Sequence, residues 1–484
     1  MANRYLVSTG LWNSTLRWSA SPGGAAGASV PTSADAVFLS GAFNLIVDSA
    51  YSASCASLDC TGYTGTLSDG GAGANILFYG NVTLSAGMGF TFTGNLYFNV
   101  SGTLTTNGKS MATASNHFVN GAGVVLTLGG AVTCSWMSVL AGTLAIGANT
   151  LTCTTAMQLA NAAGSRNVTS SAGGSIVVTG TGTVLSTGTT GTNSYAGVII
   201  NSTGTGNRAF VLGNATGATS CPSITLSSSG TITGITAVRH FVLTSFTGSI
   251  TFATSFSGYG NLTLGTSGTF TSSTITSQWF NSANVAFSST GATWDLNTTI
   301  SCTTSAIQVN IDSNFTIGST RTLNLTNGTL RLCGTAGTLS STLSVGVFTI
   351  GVGSTQVVVG PSTSSGGIAL TSGAGTVINM PTMNLGGTTF TPTSGVMTCF
   401  KRDMSLGACT ISLGNTAFSS GISSYFPVAI SGSAINTLTI SSQSKIGGFT
   451  CTSTNTTITG AFETTESVNF TGSTAINASS LSIS

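Results

Sequence analysis

The feature that most constrains this chain is a short motif that keeps returning. Two apolar residues flank a third, and a run of Gly, Ser, Thr or Asn follows. Val82-Thr-Leu84, Phe90-Thr-Phe92, Leu96-Tyr-Phe98, Leu126-Thr-Leu128, Leu144-Ala-Ile146 and Leu151-Thr-Cys153 set the pattern. Ile224-Thr-Leu226, Ile250-Thr-Phe252, Leu262-Thr-Leu264, Trp294-Asp-Leu296, Phe348-Thr-Ile350, Ile411-Ser-Leu413 and Leu438-Thr-Ile440 continue it. The stretch Phe315–Cys333 packs three copies together, with Phe315, Ile317, Leu323, Leu325, Leu330 and Leu332 as the apolar members. Alternation over so few residues is the mark of a strand with one buried face. Gly and β-branched residues abound and capped amphipathic runs do not occur, so few helices are expected. Asn327-Gly328 is a pair that accepts positive φ and turns the chain.

Comparable triplets recur about 20 residues apart, as from Leu323 to Leu343, and such a period belongs to solenoids or propellers. A propeller blade needs about 40 residues and a blade signature, which is missing. An antiparallel sandwich calls for longer strands joined by hairpins. The pattern therefore predicts an all-β chain folded as a parallel β-helix (solenoid) of short strands. About 20 residues form each coil, and strands hydrogen-bond to the coils above and below.

Residues 1–80 read differently. They hold Asp35, Asp48, Asp59 and Asp69, the pair Trp12 and Trp18, and a Gly/Pro loop from Ser21 to Asp35. This predicts an N-terminal cap or attachment module over 1–80 and a repeat body over 81–484. Trp12 and Trp18 either cover the first hydrophobic layer, which has no neighbour on one side, or dock onto a partner. Irregular loops are expected near 187–217, rich in Thr, Gly, Ser and Asn, and near 381–427. The second holds Pro381, Pro392, Pro427 and the charge cluster Lys401-Arg402-Asp403.

Composition narrows function. Charged residues are 4% of the chain, against about 25% in ordinary domains. With 40% hydrophobic residues and a mean hydropathy of +0.41, disorder is excluded. The surface must be built of Ser, Thr, Asn and Gly, and such a surface does little to keep copies apart. The 11 Lys and Arg are dispersed, so no nucleic-acid partner is expected. The opening MANRYLVSTGLW has no apolar h-region, and no run approaches the roughly 20 apolar residues of a membrane span. A chain made and folded in a cytoplasm is expected.

No carboxylate side chain occurs between Asp69 and Asp295. Acid–base chemistry, hard-cation binding and glycoside hydrolysis lean on carboxylates, so that span cannot supply them alone. Glu463 and Glu466 are three apart but read as a solvated turn. His117 and His240 are the only histidines and have no framed nucleophile beside them. Cys153, Cys333, Cys399 and Cys451 take apolar positions and read as buried thiols. Cys55 and Cys60 form the one close pair, without the second pair or nearby His that a zinc site needs. No catalytic, cofactor-binding or metal residue is assigned. Trp136, Trp279, Trp294, Tyr195, Tyr259 and Tyr425 are candidates for a sugar-binding face or for filling corners of the coil. Trp279, Phe280 and Tyr259 are singled out as receptor or glycan contacts, because Trp279-Phe280 breaks the alternation of a core strand.

The opening and the repeat idiom together resemble Gly/Ser/Thr-rich β-helical proteins of bacteriophage virions, of the tail-fibre and tail-spike kind. The opening is Trp12-x5-Trp18-Ser19, Gly23-Gly24, Val30-Pro-Thr-Ser-Ala-Asp35, Ser54-Cys-Ala-Ser-Leu-Asp59 and Thr61-Gly-Tyr-Thr-Gly-Thr-Leu67. The idiom is Gly142-Thr-Leu-Ala-Ile and Thr326-Asn-Gly-Thr-Leu-Arg-Leu. The resemblance implies a homotrimer in the virion, contacting other virion proteins and a host-surface glycan or protein. Spike enzymes of this kind carry carboxylates in a groove, and this chain departs from that pattern. A bacterial surface adhesin or extracellular filament, a capsid-surface decoration protein and a polysaccharide-degrading spike are the alternatives. The extracellular or cell-surface placement goes with the first of these.

Overall fold

The computed structural model describes residues 1–160, most of 164–311, and beyond Phe315 chiefly the backbone of separate strands as far as Ile483. It divides into two compact units, Met1–Ala237 and Val238–Ser484. Parallel strands stack as a β-solenoid with about 23 residues per turn, a little more than the triplet spacing suggests. A single 3-10 turn, Thr15–Arg17, is the helical element among the described residues.

In the first unit three lines of strands run from coil to coil. One line carries the register Arg4, Val37, Leu58, Val82, Leu104, Leu128. A second carries Ala53, Ile76, Leu96, His117, Met137, Met157, Leu185, Phe210. A third runs Met111, Cys134, Cys153, Val178, Ser202, Leu226. Because side chains alternate along a strand, in-register stacking puts every second residue inside. The strands Asn75–Phe78 and Asn95–Phe98 show this directly, with Ile76, Phe78, Leu96 and Phe98 buried and their neighbours half-exposed. All the triplet residues of the described part that were expected inward are buried, including Phe315, Ile317 and Leu323. The side chains of Leu325, Leu330, Leu332 and Arg331 lie outside the described residues.

The coils do not begin at residue 81. Strands Ala36–Phe38 and Ser57–Asp59 already stack in register on Val82–Thr83, so no break in pairing falls near residue 80. What departs from the coil is shorter. Asn3–Leu6 pairs in parallel with Ala36–Phe38 and antiparallel with Trp18–Ser19, which closes that end of the sheet. Trp12 and Trp18 are both fully buried, with ring centroids 5.2 Å apart in an edge-on arrangement. Trp18 Nε1 donates to the Trp12 carbonyl at 2.8 Å. The pair covers the first layer of the core, and neither ring is offered to a partner at the surface.

The segment 187–217, expected as an irregular loop, carries three strands among its described residues. Thr192–Ala196, Ile199–Ser202 and Arg208–Val211 keep register with the coils before them. Ile199 and Val211 point outward there and Ser202 and Arg208 inward, so the apolar alternation that marks a strand is broken in the sequence. In 381–427 the backbone strands Met383–Leu385, Met404–Leu406 and Thr416–Ser419 are described and pair in parallel. The loops expected between them, with Lys401-Arg402-Asp403, lie outside the described residues.

In the second unit the register Phe241, Leu262, Phe287, Ile311 forms one column, and Gly258, Trp279, Ile300 another. Trp279 is fully buried and packs edge-on against Phe256, Phe287 and Trp294 at 5.6, 4.7 and 6.4 Å. A Cβ on Gly258 would overlap the six-membered ring of Trp279, so the glycine gives the indole its seat. Gly258→Ala is expected to lower stability by about 1–3 kcal/mol through overpacking. Urea unfolding followed by tryptophan fluorescence reads it, and an unchanged midpoint would contradict the ring's position.

Candidate functional site

Several of the described ionisable side chains are tied into the scaffold. Burial works against the charge of Asp35, but the Thr32 hydroxyl and amide, donating at 2.8 and 2.9 Å, and the Arg4 guanidinium at 3.8 Å outweigh it. They hold its carboxyl below the ordinary value. Asp59 accepts from the Thr61 amide at 2.8 Å and Asp69 from the Thr93 amide and hydroxyl. Asp295 accepts from Arg321 Nε at 2.9 Å and Nη2 at 3.1 Å, a bidentate pair between successive coils. The Arg321 guanidinium closes onto Asp295 rather than standing free at the coil edge. Glu463 stands in the strand Thr456–Thr464, opposite Lys445 in register. The surroundings of the Glu463 and Glu466 side chains lie outside the described residues.

His117 occupies an inward position between Leu96 and Met137. It is fully buried, its Nδ1 lies 3.1 Å from the Trp136 carbonyl, and its Nε2 has no partner. Desolvation pushes its pKa from 6.5 down to about 4, against the opposing pull of the Trp136 carbonyl. His240 is half-buried, accepts from the Asn261 amide at 2.9 Å, and is also lowered, first by burial and then by Arg239. Cys55, Cys60, Cys134, Cys153, Cys221 and Cys302 are buried free thiols, as their apolar positions suggest. Cys134 and Cys153 face one another in register with sulfurs 3.9 Å apart. Among the described residues no cluster of His, Cys, Asp or Glu could hold a metal ion, and no helix is long and apolar enough to cross a membrane.

Two arginines are buried where no carboxylate is near in sequence. Arg166 donates to Asn193 Oδ1 at 2.9 Å and to the Thr190 carbonyl. Arg208 donates to Ser202 Oγ at 2.8 Å and to the carbonyls of Ser202 and Ser229 at 3.2 and 3.1 Å. Burial lowers both pKa values. Carbonyl and amide oxygens at the coil corners replace the counter-ion that a buried charge needs. A lone Arg amid Ser, Thr and Gly gives no sign of this in the sequence.

The aromatic candidates separate. Trp279, Trp294 and Tyr195 are fully buried and present nothing to a ligand. For Trp279 this corrects the expected surface contact. The alternation is present in Thr276–Trp279, but its other inward residue is the polar Ser277, so the pattern was hidden. Phe280 is 36% exposed and Tyr259 half-buried, with ring centroids 6.0 Å apart and tilted by 31°. These two remain together on the outside of the coil.

A larger outer face lies in the first unit and was not singled out from sequence. Leu77, Tyr97 and Phe118 follow one another in register and point outward, each half-exposed. The Tyr97 and Phe118 rings stack at 4.7 Å with 22° between planes. Beside them runs an amide ladder. Asn116 Nδ2 donates to Asn95 Oδ1 at 2.9 Å, and Asn95 Nδ2 to Asn75 Oδ1 at 3.1 Å. On the other side Asn120 donates to Asn99 at 2.8 Å. The signal is legible in hindsight as Asn75-Ile-Leu-Phe-Tyr, Asn95-Leu-Tyr-Phe-Asn and Asn116-His-Phe-Val-Asn, in which Asn leads an outward apolar residue two places on.

No protein-family model matches the sequence, and no curated protein and no solved structure matches the chain.

The buried imidazole gives a pH test. The unfolded chain binds a proton at His117 below about pH 6.5 and the folded chain only below about pH 4. Stability from this group is therefore whole above pH 6.5 and is lost as pH falls toward 4, by on the order of 3 kcal/mol. His117→Leu should flatten the slope of stability between pH 6.5 and 4. Urea midpoints measured across that range test it, and an equal slope in both proteins would contradict the buried neutral ring.

Proposed function

We propose that the chain is a non-enzymatic structural component of a phage virion, a tail fibre or spike used in host attachment. The observation that carries this reading is the way the solenoid spends its residues. Inward positions are mostly apolar, several described titratable groups bond to the scaffold, and the outer face of Asn75–Phe78, Asn95–Phe98 and Asn116–Val119 carries amides and aromatic rings without charge. A long stack of parallel coils gives a stiff, repetitive surface, and such a surface suits attachment through many weak contacts. The resemblance of the opening and the repeat idiom to tail-fibre and tail-spike proteins supports the same reading. The working form is a homo-oligomer, a trimer, assembled in a host cytoplasm and carried on the particle with other virion proteins.

Tyr259 and Phe280 are the residues proposed to touch a host-surface glycan or protein. Both rings lie on the outside of the coil, and an exposed aromatic ring suits the apolar side of a sugar. Adsorption of purified particles to host cells, with the isolated chain as competitor, tests the reading. The wild-type chain should block adsorption, and Phe280→Ser should weaken the block at least tenfold. Absence of the chain from purified particles by mass spectrometry would sink the proposal.

A further inference from the structure

The outer face of Asn75–Phe78, Asn95–Phe98 and Asn116–Val119 has no role yet. We propose that a second copy of this chain docks on it, the same face of each copy contributing to the contact. The inference rests on the homo-oligomeric part of the reading above and adds where the contact lies.

Ring geometry separates a protein partner from a sugar. Tyr97 and Phe118 stack on one another along the direction in which coils succeed each other. Their faces cover each other and their edges point outward. A sugar wants an open ring face; a column of edges between amide ladders suits interdigitation with an identical column, as in dry interfaces between stacked sheets.

Charge points the same way. None of the three strands carries Asp, Glu, Lys or Arg, and His117 faces inward. Two copies meeting here face no like-charge repulsion, which is the usual barrier to self-association. The apolar surface also continues past the strands. Val100, one residue beyond Asn99, is 45% exposed, and Val125 is 39% exposed, with its amide bonded to Ser101. Exposed apolar side chains of this sort favour contact with a partner. Because both copies share one coil repeat, a contact that fits at one coil fits at the next.

Sedimentation velocity of the full chain over a concentration series tests this, with Tyr97→Lys, Val100→Lys and Ser110→Lys as single variants. Val100 stands outside the ring stack, so its substitution leaves the coil intact. Ser110 is exposed on a different line of strands and is the control. Wild type should sediment as an oligomer. Tyr97→Lys and Val100→Lys should weaken association at least tenfold with an unchanged far-UV spectrum, and Ser110→Lys should not. A wild type that stays monomeric throughout overturns both the oligomer and this face. An oligomer equally indifferent to Tyr97→Lys and Val100→Lys, or equally weakened by Ser110→Lys, overturns the face alone.

Discussion

Everything in this chain depends on like stacking on like between successive coils. A strand of three or four residues cannot bury its own apolar side chains, and its backbone donors and acceptors point along the stack. Only a neighbour at the strand spacing of about 4.8 Å satisfies both. The register Val37, Leu58, Val82, Leu104 is that condition met three times over. A slip of one residue would turn the whole inward set outward. The same condition explains the closed end. There Trp12 and Trp18 fill the core, and the antiparallel strand Trp18–Ser19 pairs with Asn3–Leu6.

The polar residues that break the pattern show how tightly it binds. His117 sits in an apolar column and stays neutral. Arg166 and Arg208 reach coil corners, where carbonyl oxygens converge and accept their donors. The stacked asparagines apply the same logic outside the core, since each amide donates to its counterpart one coil away. Each of these groups works only because the next coil presents the right atom at the right height. They add hydrogen bonds between coils to the packing of the apolar columns.

Much of this was legible in the residues. Leu96, Phe98, Leu126, Leu144, Leu151 and Cys153 could be placed inward from their alternation alone, and they are buried. Trp279 could not, because Ser277 occupies the inward place before it and Gly258 makes room for its ring. The strands of the segment 1–80, expected as a cap or attachment module, stack in register with the coils that follow. Its acids bind turn donors, as Asp35 does with Thr32 and Asp69 with Thr93, so a more acidic composition accompanies the same coil. The outer face of Tyr97 and Phe118 was missed because attention to inward residues treats the middle of each triplet as filler. Its meaning appears only when three coils are laid in register.

The functional reading follows from that economy. Most apolar residues of the described coils lie in the core, and the outer face of Asn75–Phe78, Asn95–Phe98 and Asn116–Val119 carries amides and rings without charge. The most direct test is electron cryomicroscopy of the full chain at a resolution that separates strands. Rungs about 4.8 Å apart, with Val37, Leu58, Val82 and Leu104 on one inward column, are the expected result. Antiparallel hairpins, or a column in which these four residues do not stack, would contradict the solenoid and the surface built on it.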